Sequence, residues 1–208
     1  MSEPAVFLVD DEAAVRDALA FLLGSRGLRV HSFASGPEFL AHLNSLAKAP
    51  AGVFLLDVRM EPMNGLRLHD ELLARKLHNP VLFLSGHGDI PMVVEALKKG
   101  AFDFLEKPYG DNRLVDRIEQ ALAVAEAMHQ QGAQAAERAA RLASLTEREH
   151  EVLLRVAMGK LNKVVADELC IAVRTVEVHR ARGLAKLGLR SAAELASWLV
   201  AANELPRR

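Results

Sequence analysis

Ala5-Val6-Phe7-Leu8-Val9-Asp10-Asp11 decides the fold. Five apolar residues run straight into two carboxylates. An apolar run this short, bounded by polar residues, reads as a strand buried on both faces. Similar runs recur at Leu28–Phe33, Val53–Leu56, Val81–Leu84 and Phe102–Leu105. Between them apolar residues fall three and four apart, as at Val15, Leu19, Leu22 and Leu23, which is helical spacing. Strands alternating with helices predict βαβ units, with five strands and five helices in a doubly wound parallel sheet. Ligands of such sheets bind beyond the carboxyl ends of the strands.

Those ends carry the chemistry. Asp10 and Asp11 follow the first run, Asp57 the third, Ser85 the fourth and Lys107 the fifth. Three carboxylates at one edge repel each other unless a cation neutralises them. Hard oxygen donors at that density suit Mg²⁺, which also takes a phosphate oxygen. The set can run phosphoryl transfer: a carboxylate attacks, a cation and Lys107 neutralise phosphoryl oxygens, and a hydroxyl donates to one. Taken singly, each Asp also reads as a helix cap and the Lys as a solvated side chain; only the joint pattern favours chemistry.

The 208 residues fit one large domain or two small ones, and their composition sets the class. Half the chain is apolar and a quarter charged, which excludes disordered, collagenous and coiled-coil classes. No run is long enough for a transmembrane helix, and the start lacks the basic and apolar regions of a signal peptide. The one Cys excludes an internal disulfide and a Cys-rich zinc site. The expectation is a soluble cytoplasmic protein with no membrane partner.

The net charge of −1 divides unevenly. Residues 1–125 hold 17 acids against 13 Lys and Arg, a net of −4; residues 126–208 hold 10 against 13, a net of +3. An acidic front suits a cation site and a basic back suits phosphate or nucleic acid. All eight Phe and the one Tyr precede residue 110, so the basic part lacks the aromatic platforms that unpaired bases stack on. Duplex DNA is the expected nucleic acid.

Residues 121–145 contain ten Ala and no Pro, which predicts a helical connector continuing the fifth helix, with Gly132 as a point of weakness. Four helices follow, over 147–158, 162–169, 173–187 and 191–203. Thr146 with Glu149 and Ser191 with Glu194 have the spacing of capping boxes. A three-residue turn, Cys170-Ile171-Ala172, before a basic helix is a helix-turn-helix pattern. On that helix Val176, Leu184 and Leu187 share a core-facing side. Glu177, Val178, Arg180, Ala181 and Arg182 fall largely outside it. A solvated basic face is the competing reading. Cys170 is expected as a small buried hydrophobe.

Read together, VFLVDDE, VFLLDVRM, LFLSGHGD and FLEKPY closely resemble the receiver domain of two-component response regulators, over residues 3 to about 122. The resemblance implies a flavodoxin-like α/β fold with strand order 2-1-3-4-5. It implies Asp57 as phosphoacceptor. It implies Asp10, Asp11, Asp57 and the backbone carbonyl of Arg59 as ligands of Mg²⁺, with Mn²⁺ as a substitute. Ser85 matches the hydroxyl switch residue, Lys107 the phosphoryl-pairing lysine before a cis proline, and Phe104 the rotating aromatic; a plain core Phe is the other reading of Phe104. SGHGDIPMVVEALKKGAFDFLEKPY looks like the FixJ-type subgroup, whose fourth helix and fifth strand form a phosphorylation-dependent dimer face. Ile90, Val94, Leu97 and Lys98 are the residues that face would use here, unless they mainly pack the sheet. One departure stands out. The proline after Asp57 comes one residue late, as Glu61-Pro62, which puts Glu61 beside the acidic site or in solvent, with solvent favoured.

Residues 145–199 resemble the LuxR-type helix-turn-helix domain through LTxRExEVL, NKxxAxxL, RTVExHRxxxxxKLGxRS and xAEL. The resemblance implies an all-α four-helix domain at 145–205, with 123–144 as linker, recognition helix 173–187 and a last helix that commonly dimerises. Asn162, Lys163, Arg174, Thr175, His179, Arg182 and Lys186 would contact phosphates, which position a protein without specifying sequence. Glu177, Val178 and Ala181 would meet base edges, Glu accepting from cytosine and small apolar groups meeting a thymine methyl. Leu161 stands where Ser is common, leaving the scaffold helix capped by Asn162 or uncapped. The resemblance thus implies a histidine kinase as phosphodonor, a phosphorylation-linked homodimer and paired half-sites on DNA. Two rivals differ in class. A haloacid-dehalogenase-type phosphohydrolase needs an Asp two residues after its nucleophile, where this chain has Arg59. The other is an interaction protein that works without phosphate, against which the intact Asp/Asp/Asp/Ser/Lys set argues without excluding it.

Overall fold

The computed structural model describes residues 4–86 and 90–205. Five strands, β1 (Ala5–Val9), β2 (Val30–Phe33), β3 (Gly52–Asp57), β4 (Val81–Ser85) and β5 (Asp103–Glu106), form one sheet of order β2-β1-β3-β4-β5. All four pairings are parallel. Helices α1 (Ala13–Ser25), α2 (Gly36–Ser45), α3 (Gly65–Ala74), α4 (Ile90–Lys98) and α5 (Asp111–Ala143) alternate with the strands.

The pleat explains why the strands read as unbroken apolar runs. Phe7, Phe54, Leu56 and Phe83 pack into a core on one face, with Phe33, Phe39 and Leu68. Their neighbours Leu8, Val53, Leu55, Leu82 and Leu84 pack on the other face with Leu19, Leu23 and Ile118. A sheet with both faces covered needs no polar alternation. β2 departs from this pattern. It is an edge strand, its His31 and Ser32 are exposed, and it begins two residues later than expected. The amides of Arg26 and Leu28 bond back to Leu23 O, and Gly27 takes φ +79° to close α1, so Leu28 belongs to that helix end.

The chain divides into two compact units, one up to Gln130 and one from Gln131, the division falling inside α5. The second unit holds α6 (Glu147–Ala157), α7 (Asn162–Leu169), α8 (Val173–Leu187) and α9 (Ala192–Ala201). Its core gathers Val152, Leu153, Val165, Val176, Leu187 and Leu195, with Leu142 and Leu145 packed against it. Gly183 lets α8 approach α6, since a Cβ there would lie 2.7 Å from Leu153 Cδ1. Thr146 and Glu149 form the full capping box of α6. At α9 only half the motif forms: Ser191 accepts from Glu194 N, and the Glu194 carboxylate turns to the amide of Arg190.

Candidate functional site

The sheet delivers four side chains to one place. Backbone bonds continue just past the strands, from Asp10 N to Phe33 O, Val58 N to Leu84 O and Lys107 N to Ser85 O, and fix the height of each residue. Asp10 is 1% exposed and Asp57 6%. Lys107 Nζ lies 2.6 Å from Asp57 Oδ1 and 3.5 Å from Asp10 Oδ2. The remaining carboxylate oxygens are held by backbone: Glu12 N donates to Asp10 Oδ1 at 2.9 Å and Arg59 N to Asp57 Oδ2 at 2.8 Å. Ser85 is buried at the end of β4, its hydroxyl bonded to Gly86 O. Lys107-Pro108 is cis, as the sequence implies, and so is Glu61-Pro62.

Two carboxylates share one ammonium in a buried place, and the titration behaviour follows. Burial pushes the Asp57 carboxyl up, and Asp10 adds to this; the Lys107 bond and the Arg59 amide oppose it without cancelling it. Burial pulls Lys107 down, but its bond to Asp57 and the charges of Asp57 and Asp10 outweigh that and raise it. The site thus carries more negative charge than its lysine neutralises, which is the setting for a further cation.

Asp11 sits apart from the buried pair. It is exposed, and Glu61 N donates to its Oδ2 at 3.3 Å. Among the described residues no three His, Cys, Asp or Glu stand close enough to hold a metal. The convergence of three carboxylates is therefore two around Lys107, with Asp11 beside them. Like charges separate, and the ammonium takes the centre. As a donor set the residues still fit Mg²⁺: every donor is a hard oxygen, and Asp11, Arg59 and Glu61 line one open cleft with Val58 and Met60. Glu61 points to solvent, as expected. Gly65 is needed here, because a Cβ would lie 2.2 Å from Asp57 O. Sequence reasoning missed that role, whose one signal was a glycine eight residues after Asp57.

Phe104 is half-buried against the core that includes Phe83. On α4, Val94 is 43% exposed, Lys98 is exposed, and Leu97 packs partly into the core. The side chain of Ile90 lies outside the described residues.

In the second unit α7 and α8 make the helix-turn-helix. Lys163, Arg174, Thr175, Glu177, Val178, Ala181 and Arg182 are exposed, and Asn162 and His179 are half-buried. Arg174 pairs with Glu177 at 3.3 Å. Arg180, read as mostly outside the core face, reaches back to Asn162 Oδ1 at 3.2 Å and ties α8 to α7. Leu161 is the N-cap of α7 and makes no side-chain cap bond. Lys186 is exposed, with its ammonium 2.6 Å from Glu149 and 3.0 Å from Ser144 O. One expectation changes. Cys170 is exposed rather than buried. It closes α7 in the left-handed conformation, φ +53°, which turns its side chain out of the core.

The comparisons agree with this architecture. Residues 6–119 match the response regulator receiver domain, and residues 143–199 match the bacterial regulatory proteins of the luxR family. The chain belongs to the two-component response regulators that join a receiver domain to a LuxR-type DNA-binding domain. It is 50% identical over 194 residues to the C4-dicarboxylate transport transcriptional regulatory protein DctR of Rhodobacter capsulatus, covering 92% of this chain and 96% of that one. It is 41% identical over 200 residues to the transcriptional regulatory protein FixJ of Bradyrhizobium diazoefficiens, covering 96% of each. Among solved structures, the response regulator StyR matches with a TM-score of 0.89 at 39% identity, over 96% of this chain and 99% of that one. Full-length FixJ from B. japonicum matches with a TM-score of 0.57 at 40% identity, over 99% of this chain and all of that one. No helix among the described residues is long and apolar enough to cross a membrane.

Proposed function

We propose that Asp57 accepts a phosphoryl group from a histidine kinase in a Mg²⁺-dependent reaction, and that this controls binding of α8 to duplex DNA. The observation that carries the proposal is the buried Asp10–Lys107–Asp57 arrangement, in which one ammonium serves two carboxylates. Asp57 Oδ1 attacks phosphorus, the P–N bond to the donor imidazole breaks, and the leaving nitrogen keeps the electron pair. Lys107 Nζ, already at Asp57 Oδ1, pairs with a phosphoryl oxygen of the product. Ser85 turns its hydroxyl from Gly86 O to donate to another. Asp10, Asp11, Asp57 and the carbonyl of Arg59 would hold Mg²⁺, which supplies charge neutralisation on the transferring group.

Phosphorylation can act only through a difference in stability between two states. Ser85 and Phe104 are the moving parts, and the face containing Ile90, Val94, Leu97 and Lys98 is the surface they remodel for pairing with a second copy. Lys163, Arg174, Thr175, His179, Arg182 and Asn162 then position the second unit on phosphates. Glu177, Val178 and Ala181 read base edges. Lys186 serves as an internal anchor.

Acetyl phosphate with Mg²⁺ tests the receiver half. A phosphate-affinity gel is expected to show a retarded species for the parent chain, absent for Asp57→Asn and absent without divalent cation. Equal retardation of Asp57→Asn refutes the assignment of the acceptor.

A further inference from the structure

A second cleft in the first unit lies at the opposite end of the sheet from Asp57, beside the edge strand β2. Its volume is about 450 Å³, within the size range of small-molecule sites. Phe7, Arg29, His31, His42, Lys48 and His129 line it, and small apolar residues of the α2–β3 connection complete the wall. No Asp or Glu lines it among the described residues, although this unit carries the chain's excess of acids.

The ring geometry is ordered. The His31 imidazole stacks on Phe7 with centroids 5.2 Å apart and planes at 18°. His42 stands 6.3 Å from His31 at 26°, and rests on Phe33 at 5.0 Å. Phe7, Phe33 and Phe39 already close the core beneath, so packing does not require imidazoles above them. The ring nitrogens of His31, His42 and His129 have no protein hydrogen-bond partner among the described residues, and Lys48 has no acidic partner there. Flat faces, unpaired ring nitrogens and the Lys48 ammonium converge on one cleft.

We propose that this cleft binds a small planar organic anion of the aromatic carboxylate class. The ring lies over the His31 and His42 faces. The carboxylate takes charge-assisted bonds from Lys48 and from an imidazole N–H. The site is separate from the phosphoryl chemistry, so it stands or falls independently of the role of Asp57.

The test uses the full chain and terephthalate as probe, with imidazole resonances followed by NMR and affinity by calorimetry. Saturable shifts of His31 and His42 are expected, with His150 of the second unit unmoved. Adipate, a dicarboxylate without a ring, is expected to bind at least about fivefold more weakly, and Lys48→Ala and His42→Leu to weaken terephthalate about tenfold each. Lys48 is exposed, so its variant keeps the test sound if the histidine variant folds poorly. Absence of shifts at about 10 mM probe overturns the proposal. So does equal binding of adipate, or equal affinity in both variants.

Discussion

Glu149 is 4% exposed, and its carboxylate is engaged by the backbone amide of Thr146 and the ammonium of Lys186. The Lys186 bond, followed by the Thr146 amide, holds its carboxyl below the usual carboxylate range. A depressed folded value means the stabilisation is present above the usual range and is lost as pH falls below it, through the folded value. Lys186→Met is expected to cost about 1–2 kcal/mol, reduced from a fully buried pair because the lysine is partly solvated. It is also expected to flatten the acid limb of stability, measured by calorimetry from neutral to acid pH. If Arg182 contacts a phosphate as proposed, Arg182→Ala is expected to lower the salt slope of DNA binding by about one, whereas Lys186→Met is expected to leave that slope unchanged. Gly65→Ala forces a Cβ to 2.2 Å from Asp57 O, and is expected to lower thermal stability and slow acetyl phosphate labelling together. At this scale the sequence was legible where a residue's place at a strand end decides its position, as for Asp10, Asp57, Ser85 and Lys107. It was read poorly where a distant partner decides: nothing near Lys186 in the chain points to Glu149, and the exposure of Cys170 follows from one backbone angle.

Elements were legible in proportion to their periodicity. β1, β3 and β4 are apolar on both faces because helices cover both, and that signal survives without any partner being known. Leu8→Ala, which opens a hole in such a strand, is expected to cost about 2–5 kcal/mol in denaturant titrations. Helix ends were less legible. α9 ends at Ala201 rather than 203, and its capping carboxylate chose the neighbouring amide of Arg190. The end of α5 shows what composition alone conceals. Its alanines suggest a plain connector, yet Arg141 Nη1 donates to Leu187 O at the end of α8, and Lys186 donates back to Ser144 O. These bonds satisfy carbonyls that helix ends leave open. Arg141→Ala is expected to speed amide exchange around Leu187–Leu189 while leaving exchange in β1 and β3 unchanged.

Over the whole molecule, the near-zero net charge is a sum of two opposed parts, −4 and +3. The first part carries a buried excess of negative charge around Lys107. The raised Asp57 carboxyl means that its ionised form costs stability above the usual carboxylate range. A cation that binds only the folded unit therefore stabilises it, by about 2.7 kcal/mol at a hundred times its dissociation constant. Calorimetry is expected to show Mg²⁺ raising the transition of the first unit alone, and Asp11→Asn to weaken that response. In the proposed function the acceptor in the acidic unit governs the basic one. Fluorescence anisotropy of a labelled duplex carrying the chain's own binding sequence, titrated with and without acetyl phosphate and Mg²⁺, tests it most directly. Affinity is expected to tighten by about tenfold on phosphorylation of the parent chain and to stay unchanged for Asp57→Asn. Equal tightening of Asp57→Asn, or no tightening of a fully phosphorylated parent chain, would contradict it.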